Sequence, residues 1–305
     1  MPILSLSHTG CTRPNERIDR ASDVNSDKYL IQCEKLFERL SGENLCIIDC
    51  RFDLADPSAG NAQYVAGHIP GAVFADLDKD LSAPVTAGTG RHPLPDSGVL
   101  GQTFGRMGIG PDTQVVCYDQ SSGALAARTW WLLRWLGHTN ACLLDGGFAR
   151  WEKLGLPTEE GTVTAEIATF EGHPAGRRII ETQEIVQSGA AGVRMVDARD
   201  EERFAGHSEP IDAVAGHIPG SINVPFTASL TDNGTWRNAA ELRQLWRLAL
   251  AESCGSPWSV MCGSGVTACH LVVSGLIAGL PEPRVYVGSW SEWITDPTRP
   301  IGGRA

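Results

Sequence analysis

The chain repeats itself. In its first half Ile47-Ile48-Asp49-Cys50-Arg51 is followed by Gly67-His68-Ile69-Pro70-Gly71, by the apolar run Val115-Val116-Cys117-Tyr118 ending at Asp119, and by Leu143-Leu144-Asp145-Gly146-Gly147-Phe148 and Trp151. The second half keeps the order: Met195-Val196-Asp197-Ala198-Arg199, Gly216-His217-Ile218-Pro219-Gly220, an apolar run ending in Cys262, then Val285-Tyr286-Val287-Gly288 and Trp293. A duplication of this length confines the chain to two copies of one fold, and 305 residues is about twice a common domain size. Short β-branched runs alternate with helical segments in each half, so the expected fold class is α/β, two tandem domains, each a parallel sheet flanked by helices.

Helices are expected over Ser26 to Leu40, Ala124 to Leu136, Ala239 to Ala251 and Thr267 to Gly279. The first domain is expected over 24–157 and the second over 177–305. Between them 158–176, polar and bracketed by prolines and glycines, reads as a linker, and 1–23 as a flexible leader. The halves differ at one chemically decisive position: aligned strands put Asp119 where the second half has Cys262. A carboxylate cannot act as a thiolate does, so the first half is expected to be catalytically silent and to form one wall of a site. Two independent domains on a string is the plainer alternative.

Cys262 opens the run Cys262-Gly263-Ser264-Gly265-Val266-Thr267-Ala268, between an expected strand end and an expected helix. The first N–H groups of a helix lack intrahelical partners and carry the positive end of its dipole. A thiol in that setting can be lowered from a pKa of about 8.5 toward neutrality or below, and the thiolate is the form that attacks electrophiles. Gly263 and Gly265 let successive N–H groups converge on an anion or a developing negative charge. Ser264 and Thr267 add hydroxyl donors. An open α/β sheet takes its ligands outside the carboxyl ends of its strands, where Cys262 is expected to stand.

A net charge of −11 argues against nucleic acid as a partner and against long-range steering of anionic substrates. No stretch approaches the roughly 18 apolar residues of a membrane span, and the amino terminus lacks the pattern of a secretory leader. Nine cysteines, an odd number without a CxxC pair, fit reduced thiols and a cytoplasmic location. No metal is expected: Cys262, Cys269 and His270 crowd one helix end, and Cys46 with Cys50 has no partner pair nearby. Cys33, Cys117, Cys142, Cys254 and Cys269 are expected to be packing.

The Cys262 loop, the two His-Ile-Pro-Gly turns and the closing Gly288-Ser289-Trp290-Ser291-Glu292-Trp293 together closely resemble tandem rhodanese-domain sulfurtransferases, in detail the 3-mercaptopyruvate sulfurtransferases, from about Val24 to about Pro300. The resemblance implies sulfur transfer from a small anionic donor to a thiol, cyanide or a thioredoxin-like acceptor through a persulfide on Cys262, with no cofactor. It implies donor binding by Gly263, Gly265, Val266, Thr267 and Arg203, the last of these matching a substrate arginine. It also implies that His68, with an upstream aspartate for which Asp56 is the nearest candidate, reaches Ser264 as a polar relay. Arg91 and His92, in Gly90-Arg91-His92-Pro93-Leu94-Pro95, lie in a loop that can also face the cleft.

Two features bear on the donor in opposite directions. Family members commonly carry a second substrate arginine before the second His-Ile-Pro-Gly turn, where this chain has Glu209-Pro210-Ile211-Asp212-Ala213-Val214. Thiosulfate-preferring members usually carry basic residues just after the cysteine, where this chain has Gly263 and Ser264. The expected donor is 3-mercaptopyruvate, with thiosulfate as the alternative and a non-catalytic docking module as a further one. A cysteine phosphatase is disfavoured because the residue six after Cys262 is Ala268 rather than arginine.

Overall fold

The structure is a computed structural model and describes residues 26–188, 193–250 and 257–303. The leader 1–23 and Cys254 lie outside the described residues. In the first half five parallel strands, β1 (Leu30–Ile31), β2 (Leu45–Asp49), β3 (Val73–Phe74), β4 (Gln114–Tyr118) and β5 (Ala141–Leu144), stand in the order β1-β5-β4-β2-β3. In the second, β6 (Arg194–Asp197), β7 (Ile222–Asn223), β8 (Trp258–Met261) and β9 (Arg284–Val285) stand in the order β7-β6-β8-β9. Ile179 bridges Val285 in parallel and supplies the counterpart of β1, so the two sheets share one topology.

Helices cover both sheets: α1 (Cys33–Phe37), α2 (Ala59–Ala66), α3 (Ser97–Arg106), α4 (Ala126–Trp135) and α5 (Gly147–Lys153), then α6 (Thr182–Ser188), α7 (Glu201–Ala205), α8 (Ala239–Ala249), α9 (Ala268–Ile277) and α10 (Ser289–Trp293). Their sequences carry the reasons. α8 starts at a capping box, in which Asn238 accepts from the amides of Ala240 and Glu241 while Glu241 accepts from the amide of Asn238. α9 is apolar on every side and buried along its whole length, as such a helix must be; it packs on β8, on α8 and, across the junction between halves, on α4.

One expected helix is absent. Ser26 to Leu40 folds instead as a 3-10 turn (Ser26–Lys28), the strand β1 and the short α1. Leu30 and Ile31 pair with Leu143 and Leu144 of β5, because a buried place at the sheet edge outweighs the local helical period. The segment 158–176 contains neither helix nor strand up to the 3-10 turn at Gly176 and lies as a strap along the first half. Glu159 exchanges backbone hydrogen bonds with His68, and Phe170 packs on Phe104 with ring centroids 5.3 Å apart.

The two halves are not beads on a string. A single apolar core contains Trp131 and Leu143 from the first together with Trp236 and Leu271 from the second. Around it, Asp145 accepts from the Trp236 amide at 2.9 Å, and Glu282 accepts two hydrogen bonds from Arg134 at 3.0 and 3.1 Å.

Candidate active site

Strand register aligns the halves atom by atom. Asp49 is paired with Tyr118, and Asp197 with Met261, so the next residues, Asp119 and Cys262, are equivalent. Cys262 is 2% exposed. Its amide donates to Ser289 Oγ at 3.1 Å, and its carbonyl accepts from Trp290 N at 3.0 Å. Ser289, at a φ of 55° that a side-chain-bearing residue rarely adopts, turns its hydroxyl between the Cys262 amide and the Tyr286 carbonyl. The closing Gly288–Trp293 motif thus holds the Cys262 loop from behind.

Within the loop, Gly265 N donates to Cys262 Sγ at 3.1 Å. Gly265 has φ of 77°, and a Cβ there would stand 2.3 Å from the Val287 carbonyl oxygen, so only glycine brings this amide under the sulfur. Val266 points into the apolar core, which leaves its backbone alone to face an anion. Thr267 stands at the start of α9. Cys269 is wholly buried and burial pushes its thiol up to about 12, which suits packing rather than chemistry. All seven described cysteines are free thiols.

The front of the cleft comes from the first half. Gly90 fits so closely that a Cβ would meet Gly288 O at 2.5 Å, and the Arg91 amide donates to Ser291 Oγ at 3.1 Å. The following residue, His92, brings Nδ1 to 2.7 Å from Ser264 Oγ, while its Nε2 faces Asp78 Oδ1 at 3.4 Å. Burial, together with the cations of Arg128 and Arg91, pushes the His92 pKa down to about 3. The ring is therefore neutral, and the contact with Asp78 is a neutral imidazole facing a carboxylate rather than an ion pair. With that carboxylate at Nε2 the ring proton belongs there, which leaves Nδ1 to accept from Ser264. Arg128, wholly buried, donates to the carbonyls of both Gly265 and His92 at 3.3 Å and ties the two halves of the site together.

This corrects the expected relay. His68 does not reach Ser264: its Nδ1 lies 2.8 Å from Tyr64 O, its ring stacks on Tyr64 at 4.2 Å, and its Nε2 is 3.9 Å from Glu159. His217 does the same in the second half, with Nδ1 2.8 Å from Phe204 O and its ring stacked on Phe204 at 4.0 Å. Each ties its loop back onto the helix before it. Asp56 is spent on the amide and hydroxyl of exposed Ser58. A signal against His68 was present in the sequence: the two His-Ile-Pro-Gly histidines are repeated, so they share a repeated job. The Gly90–Pro95 loop belongs to a segment between β3 and α3 that is longer than its counterpart between β7 and α8.

The substrate arginine expected at 203 stands on α7, whose first turn is capped by Asp200 accepting from Arg203 N at 2.9 Å. Its guanidinium turns away from Glu201 and Glu202 toward the cleft, where Nε donates to Glu209 and Nη2 lies 3.1 Å from Asp212. Asp212 also pairs with Arg91. Arg199 is structural: buried, clamped on Asp197 through Nε and Nη2, and donating to Gly216 O at 2.7 Å. Arg51 makes the same contacts with Asp49 and Gly67 in the first half.

The chain matches the rhodanese-like domain twice, over residues 33–154 and 181–296. It is 46% identical over 279 residues to a Pseudomonas aeruginosa protein named "Probable 3-mercaptopyruvate sulfurtransferase", covering 90% of this chain and 98% of that one. It is 34% identical over 262 residues to the thiosulfate sulfurtransferase of Rattus norvegicus, covering 83% and 86%. The structure of 3-mercaptopyruvate sulfurtransferase from Leishmania major superposes with a TM-score of 0.76 at 31% identity, covering 87% of this chain and 74% of that one. Two matched domains on equivalent sheets, with one cysteine loop facing a wall built by the other half, place the chain in the rhodanese-like domain family as a tandem-domain sulfurtransferase.

Proposed function

We propose that the protein moves a sulfane sulfur from 3-mercaptopyruvate to a thiol, to cyanide or to a thioredoxin-like acceptor through a persulfide on Cys262. The observation that carries this reading is the position of Cys262 Sγ, under the Gly265 amide and beside a chain of polar groups running from Ser264 through His92 to Asp78. The Cys262 thiolate attacks the donor sulfur. An S–S bond forms, the donor C–S bond breaks, and its electron pair leaves as the enolate of pyruvate, which takes the proton given up by the donor thiol to become pyruvate and leaves the persulfide as its anion. Ser264, hydrogen-bonded to a neutral His92, is placed to relay that proton, and the Gly265 amide stabilises negative charge on the sulfur. An acceptor then removes the outer sulfur and regenerates the thiolate.

The first half supplies His92, Asp78, Arg91 and Arg128 but, with Asp119 at the equivalent position, no nucleophile. Neutral Gly263 and Ser264 favour a monoanionic donor that leaves as an enolate over dianionic thiosulfate, which leaves as sulfite. The free thiols of the described cysteines favour a reducing compartment, the cytoplasm.

The test is the initial rate of sulfur transfer to cyanide with each donor. Wild type is expected to prefer 3-mercaptopyruvate and to give parallel double-reciprocal lines, and Cys262→Ser to fall to the uncatalysed background. A thiosulfate preference would replace the donor, and inactivity with both would favour a docking role.

A further inference from the structure

The segment Glu209–Val214 holds no arginine, yet the cleft contains a second guanidinium, and it comes from the other half of the chain. Gly263, next to the nucleophile, marks where the two meet. A Cβ on Gly263 would stand 2.8 Å from Arg91 Nη2, and 3.4 and 3.7 Å from Arg203 Nη2 and Nη1. Both guanidiniums therefore face one point beside Cys262, and a glycine keeps that point open.

Asp212 sets their relative orientation, with one carboxylate oxygen accepting from Arg91 Nη1 and the other from Arg203 Nη2. Glu209 holds Arg203 through Nε at 3.0 Å. Arg91 is held through Nη1 on Asp212, and Nη2 is the atom that it turns toward Gly263. The Arg91 backbone is itself fixed, by its hydrogen bond to Ser291 and by the close fit of Gly90 on Gly288.

Charge makes the same point. Around the cleft the carboxylates of Asp197, Glu209 and Asp212 face Arg91, Arg199 and Arg203, and Arg199 is committed to Asp197 and Glu209. Without Arg91 the carboxylates would outnumber the guanidiniums next to an anionic nucleophile, in a chain of net charge −11 that already repels anions. We infer that Arg91 is a substrate-binding residue: with Arg203 it forms a two-guanidinium grip for the anionic end of the donor, the carboxylate of a 2-oxo acid, supplied across the interdomain cleft. The identity of that end rests on the proposed donor.

The test compares wild type with Arg91→Met, which keeps the aliphatic stem, and Arg91→Lys, which keeps the charge and loses the fork. For 3-mercaptopyruvate, Arg91→Met is expected to raise KM roughly ten- to hundredfold, the effect of losing a charged hydrogen bond, with a smaller change in kcat and an intermediate KM for Arg91→Lys. Discharge of the preloaded persulfide by dithiothreitol, a neutral thiol, is expected to stay at the wild-type rate. An unchanged KM, or equal losses in loading and discharge, would overturn the inference. If wild type does not use 3-mercaptopyruvate, the donor assignment fails instead. The same comparison with thiosulfate then decides whether Arg91 grips an anion, and an unchanged thiosulfate KM would remove it.

Discussion

His92 sits between the Ser264 hydroxyl and the Asp78 carboxylate with its ring kept neutral by burial and by two neighbouring arginines, so under the proposed mechanism it orients the serine hydroxyl as a hydrogen-bond acceptor while Asp78 fixes its tautomer. Replacing it separates chemistry from architecture. His92→Ala is expected to lower kcat about a hundredfold, the low end of general acid-base contributions, with a much smaller change in stability. His68→Ala is expected to do the reverse, costing about 2–4 kcal/mol of stability through the lost stacking and turn-closing contacts while kcat of the folded fraction holds. Paired kinetics and denaturant titrations on the two variants check this, and a large kcat loss in His68→Ala with unaltered stability would contradict the assignment. Cys262 and its glycine turn are legible in the sequence because a cysteine on a strand-to-helix turn is a local pattern, whereas Arg203 came only through the resemblance. His92 is 172 residues from Ser264, and Asp78 and Arg91 are comparably remote. No spacing rule joins residues that meet only when two domains dock.

At the scale of elements, the loop after β4 shows how the equivalent of the Cys262 loop is built around an aspartate. The Asp119 carboxylate accepts from the amides of Ser121, Gly123, Leu125 and Ala126, filling with its own side chain the kind of amide nest that faces Cys262 in the other half. The mouth of that nest is also closed. Gly123 lies against Trp236, Ser122 O is 3.1 Å from His270 Nε2, and Trp236 stacks on His270 at 3.9 Å. Asp119→Cys is therefore expected to create no second site: cyanide-releasable sulfur stays at one atom per chain. A stoichiometry of two would show that the carboxylate alone silences the first half. The expected helices around Ala126–Trp135, Ala239–Ala249 and Ala268–Ile277 form because their apolar period, or their uniform burial, agrees with their place in the fold. Ser26 to Leu40 breaks up because β1 has a long-range strand partner that no local window contains.

For the molecule as a whole, two histidines sit between the halves, His92 against Ser264 and His270 against Ser122. Burial pushes each from an ordinary pKa of 6.5 down to about 3. Between those values the unfolded chain binds more protons than the folded one, so stability falls as pH drops below about 6.5, by at most about 1.4 kcal/mol per pH unit for each histidine. Urea unfolding between pH 7 and pH 5 is expected to show this slope, with a further share from His138, whose pKa burial also lowers, and His270→Gln to remove one histidine's share of it. An unchanged slope in that variant would exclude His270 as a contributor. The sequence by itself determined the duplication, the α/β class of each copy and the glycine turn that cradles Cys262, because these depend on side-chain period and backbone freedom over a few residues. Only the tertiary structure decided which histidine serves Ser264 and where a second guanidinium comes from. The cleft is assembled by two docked sheets, and the relative placement of His92, Arg91 and Arg128 over the Cys262 loop follows from the shape of a shared core rather than from any pattern along the chain.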